Sequence, residues 1–203
     1  MGENLCPARD ARLEGRLMIV AALDLATKTG VAVGPCGGQP ELWTLDLKSE
    51  HEAKFHATRL MKIQGLTQRL IVEMGVTKIF IEKPFVAGHN NFETTLLTIG
   101  LTANVISWAE RKGMPFDLIP AQTVARHFIG SGKMKRDAKK AAILAQCQAR
   151  GWAPRDDNQA DAAALWDLAC TRLCDAHAAV TGPLFHQPGK DPETRSAQAG
   201  GAS

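Results

Sequence analysis

Ile19-Val-Ala-Ala-Leu-Asp24-Leu-Ala-Thr-Lys-Thr-Gly30-Val-Ala-Val33 is the stretch on which the fold turns. Its first part belongs to an apolar run, Leu17–Leu25, unbroken as far as Asp24. A half-exposed strand alternates apolar and polar residues; an unbroken run reads as a strand buried on both faces. The run closes on Asp24, and a turn over Ala26–Gly30 leads into a short strand at Val31–Val33. Gly34, Pro35, Gly37, Gly38 and Pro40 break the chain before a third strand, expected at Glu41–Leu47. Such a turn-rich opening is a hairpin or meander.

Working outward, His51–Met74 has helical spacing through Phe55, Leu60, Ile63, Leu66 and Leu70. Val76–Glu82 is a second buried strand, Asn91–Lys112 a helix, and Phe116–Ile119 a short strand. Pro120–Phe128, Lys135–Arg150 and Asn158–Ala178 read as helices. A meander feeding into parallel crossovers predicts an α/β domain: a mixed five-stranded sheet with helices on its faces. Residues 1–16 are expected to be a flexible N-terminus, 17–178 the folded domain, and 179–203 a disordered tail rich in Gly, Pro, Ser and Ala.

In such sheets ligands bind beyond the carboxyl ends of the parallel strands. Two carboxylates stand there, Asp24 and Glu82, each closing a buried strand. Placing two like charges side by side is costly unless a cation neutralises them. A third comes from the last helix. Asp161 is followed at three, four and seven residues by Ala164, Leu165 and Leu168, so it continues an apolar, core-facing stripe. Asp156, Asp157 and Asn158 precede that helix and suit its N-cap; Asp157, one turn before Asp161, is also the candidate for a fourth ligand. Asp167 sits on a more lateral face and is expected to be solvated. Carboxylates without His or Cys partners select hard cations, so Mg²⁺ or Mn²⁺ is expected and zinc is not. Two such ions about 4 Å apart can activate a water and stabilise the leaving oxygen of a phosphodiester.

Four stretches, in order, carry a family resemblance. The opening Ile19–Val33 run resembles the first motif of RuvC-type Holliday junction resolvases. Lys78-Ile-Phe-Ile-Glu82-Lys-Pro-Phe85 resembles the second, with an aromatic three residues after the Glu. Pro120-Ala-Gln122, Gly130-Ser-Gly132 and the basic helix beyond are similar to the third region, and Asn158-Gln-Ala-Asp161-Ala-Ala to the fourth. The resemblance implies an RNase H-like fold, symmetric nicking of four-way DNA junctions by a homodimer, and metal ligation by Asp24, Glu82 and Asp161. It also implies that Phe85 meets junction bases, and that a Lys near the third region assists the chemistry, Lys135 or Arg136 being the nearest match. One departure concerns the bacterial spacing of two carboxylates three apart on the final helix: here Ala164 and Asn158 occupy those places. Phage-type relatives vary at this point, which suggests a phage or prophage version.

The net charge of +3 implies no polyanion partner by itself. It conceals a patch. From Arg126 to Arg150 there are seven Lys/Arg against one acid, Asp137, which leaves the rest of the chain near −3. Lys133, Lys135, Arg136, Lys139 and Lys140 are the expected phosphate contacts. His89, Asn90 and Asn91 could touch phosphate, but capping of the next helix suits them better.

Other signals fail. Gly130-Ser-Gly-Lys133 lacks the first Gly of a phosphate loop, and Met134 stands where a Ser or Thr is required, so no nucleotide cofactor is expected. Cys170, Cys174 and His177 lie on one helix and read as buried rather than as a zinc site. Five Cys without a disulfide pattern, no signal-like N-terminus and no run of ~20 apolar residues make a cytoplasmic protein the expectation. Three rivals stand beside the resolvase reading. An actin-like kinase needs two such domains; a YqgF-like nuclease acting on RNA is shorter and lacks the basic segment; a catalytically inactive DNA-binding relative would keep the patch without the chemistry.

Overall fold

The computed structural model describes residues 18–48, 56–85, 92–174 and His177. Five strands form one sheet: β1 (Ile19–Asp24), β2 (Lys28–Pro35), β3 (Glu41–Asp46), β4 (Lys78–Glu82) and β5 (Phe116–Ile119). Their order is β3-β2-β1-β4-β5. The first three pair antiparallel, while β4 runs parallel to β1 and to β5. This is the mixed, helix-flanked sheet expected from the sequence.

β2 is longer than the expected Val31–Val33, because the reversal is confined to the residues just after Asp24. Thr29 Oγ1 donates to the Ala26 carbonyl at 2.8 Å, and pairing begins at once with Asp24 opposite Gly30. At the far end Pro35 still pairs with Ile19.

The helices are α1 (Ala57–Gln68), α2 (Phe92–Arg111), α3 (Ala121–Ile129), α4 (Arg136–Ala149) and α5 (Asp157–Leu173). A π-helical turn, Arg69–Glu73, extends α1. Pro120 and Lys135, expected inside helices, act instead as N-caps of α3 and α4. The segment 51–55 of the first expected helix, the loop bearing His89, Asn90 and Asn91, the flexible N-terminus at 1–16 and the tail at 179–203 lie outside the described residues.

Strand periodicity sorts the core into two layers. Odd-numbered residues of the central strands (Ala21, Leu23, Ile79, Ile81) pack with Ile63, Leu66, Leu97 and Leu101 of α1 and α2. Even-numbered ones (Val20, Ala22, Phe80) pack with Phe128 of α3, Ile143 of α4 and Ala162–Trp166 of α5. The small side chains Ala160, Ala162, Ala163 and Ala164, all at most 3% exposed, let α5 lie close against the sheet. Among the described residues no helix is long and apolar enough to cross a membrane.

Asp167 corrects an expectation. It is fully buried, receiving Nε2 of His127 at 2.8 Å and Nε2 of His177 at 3.1 Å and pairing with Arg150. The Arg150 guanidinium lies 4.4 Å from the Phe128 ring centroid and 5.4 Å from that of Trp152. Helical periodicity gave Asp167 a lateral face; it could not show that α3 and α4 bring cations to cover that face. Burial works to raise the Asp167 pKa, but the bonds from His127, His177 and Arg150 outweigh it and hold the carboxyl far below the usual range. His177 and Cys170 accordingly serve the core: the first bonds Asp167, and the second contacts the Cys36 thiol.

Candidate active site

Because even-numbered residues of β1 and β4 face α5, the next even positions, Asp24 and Glu82, face it too. Leu23 pairs with Ile81, so one further step sets Asp24 beside Glu82 where the two parallel strands end. Asp161 enters from the second turn of α5, above the same edge.

All three are half-buried, and all three hold their protons unusually well. Burial, then the neighbouring Asp161, pushes Asp24 up to about 7, against the pull of Lys139. Burial, then Asp24 and Asp161, pushes Glu82 up to about 8, again opposed by Lys139. Asp161 is raised by burial, with Lys139 and Lys140 opposing and Asp157 adding to the rise. The carboxylates thus sense one another, as groups sharing a site do.

Lys139 is the cation that acts on all three. The sequence placed it among phosphate contacts and put Lys135 or Arg136 nearest the chemistry. In the fold Lys135 is the N-cap of α4 and Arg136 its first residue, both exposed, whereas Lys139 lies half-buried one turn further along. Only the packing of α4 on α5 reveals which side of the basic helix faces the acids.

Asp157 acts on Asp161 from a more open position. Its side chain is 54% exposed and ion-paired with Lys140. Asp156 is the N-cap of α5, accepting from the Gln159 backbone N–H at 2.9 Å. Phe85 follows β4 and is 81% exposed. Lys133 is exposed, its backbone N–H reaching Ser131 Oγ at 3.3 Å.

Among the described residues no three His, Cys, Asp or Glu side chains stand close enough, as placed, to enclose a metal ion. The fit of a cation rests instead on donor chemistry. Asp24, Glu82 and Asp161 are hard oxygen donors, and among the described residues none of them forms an ion pair. Half-buried carboxylates that raise one another's pKa are what a hard divalent ion relieves.

No protein-family model and no curated protein sequence matches the chain. Solved structures do. RuvC of T. thermophilus in complex with a Holliday junction substrate superposes with a TM-score of 0.59 at 20% identity, covering 82% of this chain and 99% of that one. The Thermus thermophilus RuvC structure gives 0.56 at 20% identity, covering 81% and 98%. The yeast mitochondrial Holliday junction resolvase Ydc2 gives 0.52 at 12% identity, covering 82% and 87%. At these identities the likeness is one of fold: the chain has the RNase H-like fold that RuvC has.

Proposed function

We propose that the chain is a crossover junction endodeoxyribonuclease: a divalent-cation-dependent enzyme that hydrolyses phosphodiester bonds in four-way DNA junctions. The observation that carries this reading is the meeting of Asp24, Glu82 and Asp161 at one sheet edge, each with a raised pKa. The fold shared with a protein bound to a Holliday junction supports the choice of substrate.

In this reading Asp24, Glu82 and Asp161 hold Mg²⁺ or Mn²⁺, two ions per site. Asp157 is the candidate fourth donor and would leave Lys140 to serve. The bound ions would supply an activated water and charge stabilisation for the leaving oxygen. Lys139, beside all three acids, offsets their negative charge and faces the approaching phosphate. Lys133, Lys135, Arg136 and Lys140 follow the DNA backbone, and exposed Phe85 stacks on junction bases, a contact worth ~1–3 kcal/mol in single-strand binders. Two symmetric nicks call for a homodimer, and recombination, repair or phage DNA processing in the cytoplasm is the setting.

The test is Mg²⁺-dependent cutting of a labelled four-way junction, beside duplex, RNA and RNA–DNA hybrid. Asp24→Asn, Glu82→Gln and Asp161→Asn should each abolish cutting while junction binding in chelator survives. Preferential cutting of RNA would favour the YqgF-like alternative. Junction binding by wild type without any cleavage would favour the inactive DNA-binding one.

A further inference from the structure

One cross-strand row runs under the start of α5. Thr44 on β3 pairs with Gly30 on β2, and Gly30 pairs with Asp24 on β1. Glu82 on β4 follows as the next step beyond the Leu23–Ile81 pair. The row therefore reads Thr44, Gly30, Asp24, Glu82, and its two ends do different things. The carboxylate end is the candidate active site. The Thr44 end holds α5.

Thr44 Oγ1 donates to Asp156 Oδ2 at 2.7 Å. Gln159 Nε2 donates to Thr44 Oγ1 at 3.3 Å, and the Gln159 backbone N–H donates to Asp156 Oδ1 at 2.9 Å. Gln159 Oε1 accepts from the Arg155 N–H at 3.0 Å, which closes the ring onto the chain entering the helix. Gln159 is only 6% exposed, while Thr44 and Asp156 are half-buried, so the clamp sits at the edge of the core. Between this clamp and the acids, the Asn158 carbonyl rests directly on Gly30.

We propose that Thr44 and Gln159, acting through Asp156, are positioning residues: they fix the first turn of α5 on the edge strand and so set where Asp161 stands relative to Asp24 and Glu82. This rests on the reading of those acids as metal ligands given above. Asp161 lies five residues beyond Asp156, so a slide or tilt of the first turn carries its carboxylate with it. Supporting groups outside a metal's own ligands typically change metal affinity or activity 10–100-fold when lost.

Thr44→Val removes the hydroxyl at nearly constant shape, and Thr44→Ser keeps it. Three measurements on the full chain separate the possibilities: amide exchange of the first two turns of α5, Mn²⁺ binding by calorimetry, and single-turnover cutting of a four-way junction. The expected result for Thr44→Val is faster exchange at residues 157–161, roughly tenfold weaker Mn²⁺ binding and a roughly tenfold lower kcat, with junction KM unchanged. Thr44→Ser should recover most of each. Unchanged exchange in Thr44→Val overturns the clamp. Faster exchange with wild-type Mn²⁺ affinity and kcat overturns the positioning role, as does an equal loss in the Ser variant. A wild-type chain that neither takes up Mn²⁺ nor cuts junctions overturns the proposed function instead, while the exchange data still decide the clamp.

Discussion

Burial, reinforced by Asp161 at Asp24 and by Asp24 and Asp161 at Glu82, makes both carboxyls keep their protons well above the usual range, and this has a consequence for the metal-free protein. An unfolded Asp releases its proton near pH 4, whereas folded Asp24 keeps it to about 7. Across that window the folded state binds more protons, so stability falls as pH rises. Asp24→Asn should therefore raise the melting temperature in chelator at pH 8, by a stabilisation on the order of 1–3 kcal/mol, and change little at pH 4. A scan at both pH values checks it, and an equal effect at both would sink it. Asp167 shows the opposite sign. Its folded pKa is depressed, so its contribution is complete above about pH 4 and fades as pH falls towards the lower folded value. Asp167→Ala leaves Arg150 buried beside two His and should cost roughly 3–5 kcal/mol in urea denaturation at pH 7, with less difference from wild type in strong acid. A surface-like loss under 1 kcal/mol would contradict the buried network.

At the scale of elements, α5 sits so close to β2 that Gly30 has no room for a side chain. A Cβ there would overlap the Asn158 carbonyl and lie 3.3 Å from the Ala162 Cβ. Gly30→Ala must push the helix bearing Asp161 off the sheet. The expected outcome is a soluble but destabilised protein whose cleavage falls at least 100-fold, since misplacement by about 1 Å can cost that much. Near-wild-type cutting would show that α5 can yield without moving its carboxylate. The basic helix α4 divides in the same way. Lys139 faces the acids, while Lys133, Lys135 and Arg136 are exposed. Lys139→Ala should slow cutting more than it weakens binding. Alanine at each of the other three should lower the salt slope of junction affinity by about one unit and leave the rate at saturation unchanged. Identical salt slopes and rates for all four variants would dismiss the patch as a solvated face.

For the whole molecule, the sheet has one layer of helices built for the site and one that carries a spare apolar surface. On α2, Leu97, Leu101 and Val105 are buried against the sheet, while Ile99 is 46% exposed on another side. A homodimer formed through this layer would leave the α3–α5 layer and its acids open to DNA, with two sites related by a two-fold axis. Sedimentation at micromolar concentration should give a dimer, and Ile99→Asp should shift it towards monomer while single-site nicking persists. A monomeric wild-type chain that still makes paired, symmetric nicks would refute this arrangement.

The sequence by itself determined the two central strands, their buried character and which elements carry Asp24, Glu82 and Asp161. Each of these follows from local pattern: an unbroken apolar run ending in a carboxylate, or a helical stripe continued by one. Phe116–Ile119 emerges with the bounds the pattern predicted, and Asp24 and Glu82 close their strands as read. Only the tertiary structure decided what lies across a gap in sequence. Thr44 and Asp156 are 112 residues apart, and His127 and Asp167 are 40 apart, so no periodicity links them. The choice of Lys139 over its neighbours depends on how α4 rolls against α5, and the burial of Asp167 on which cations the adjoining helices bring. Periodicity assigns a residue to a face of its own element. What that face meets is set by packing, and it is the meeting that decides whether a carboxylate joins an acidic cluster, caps a helix or centres a buried network.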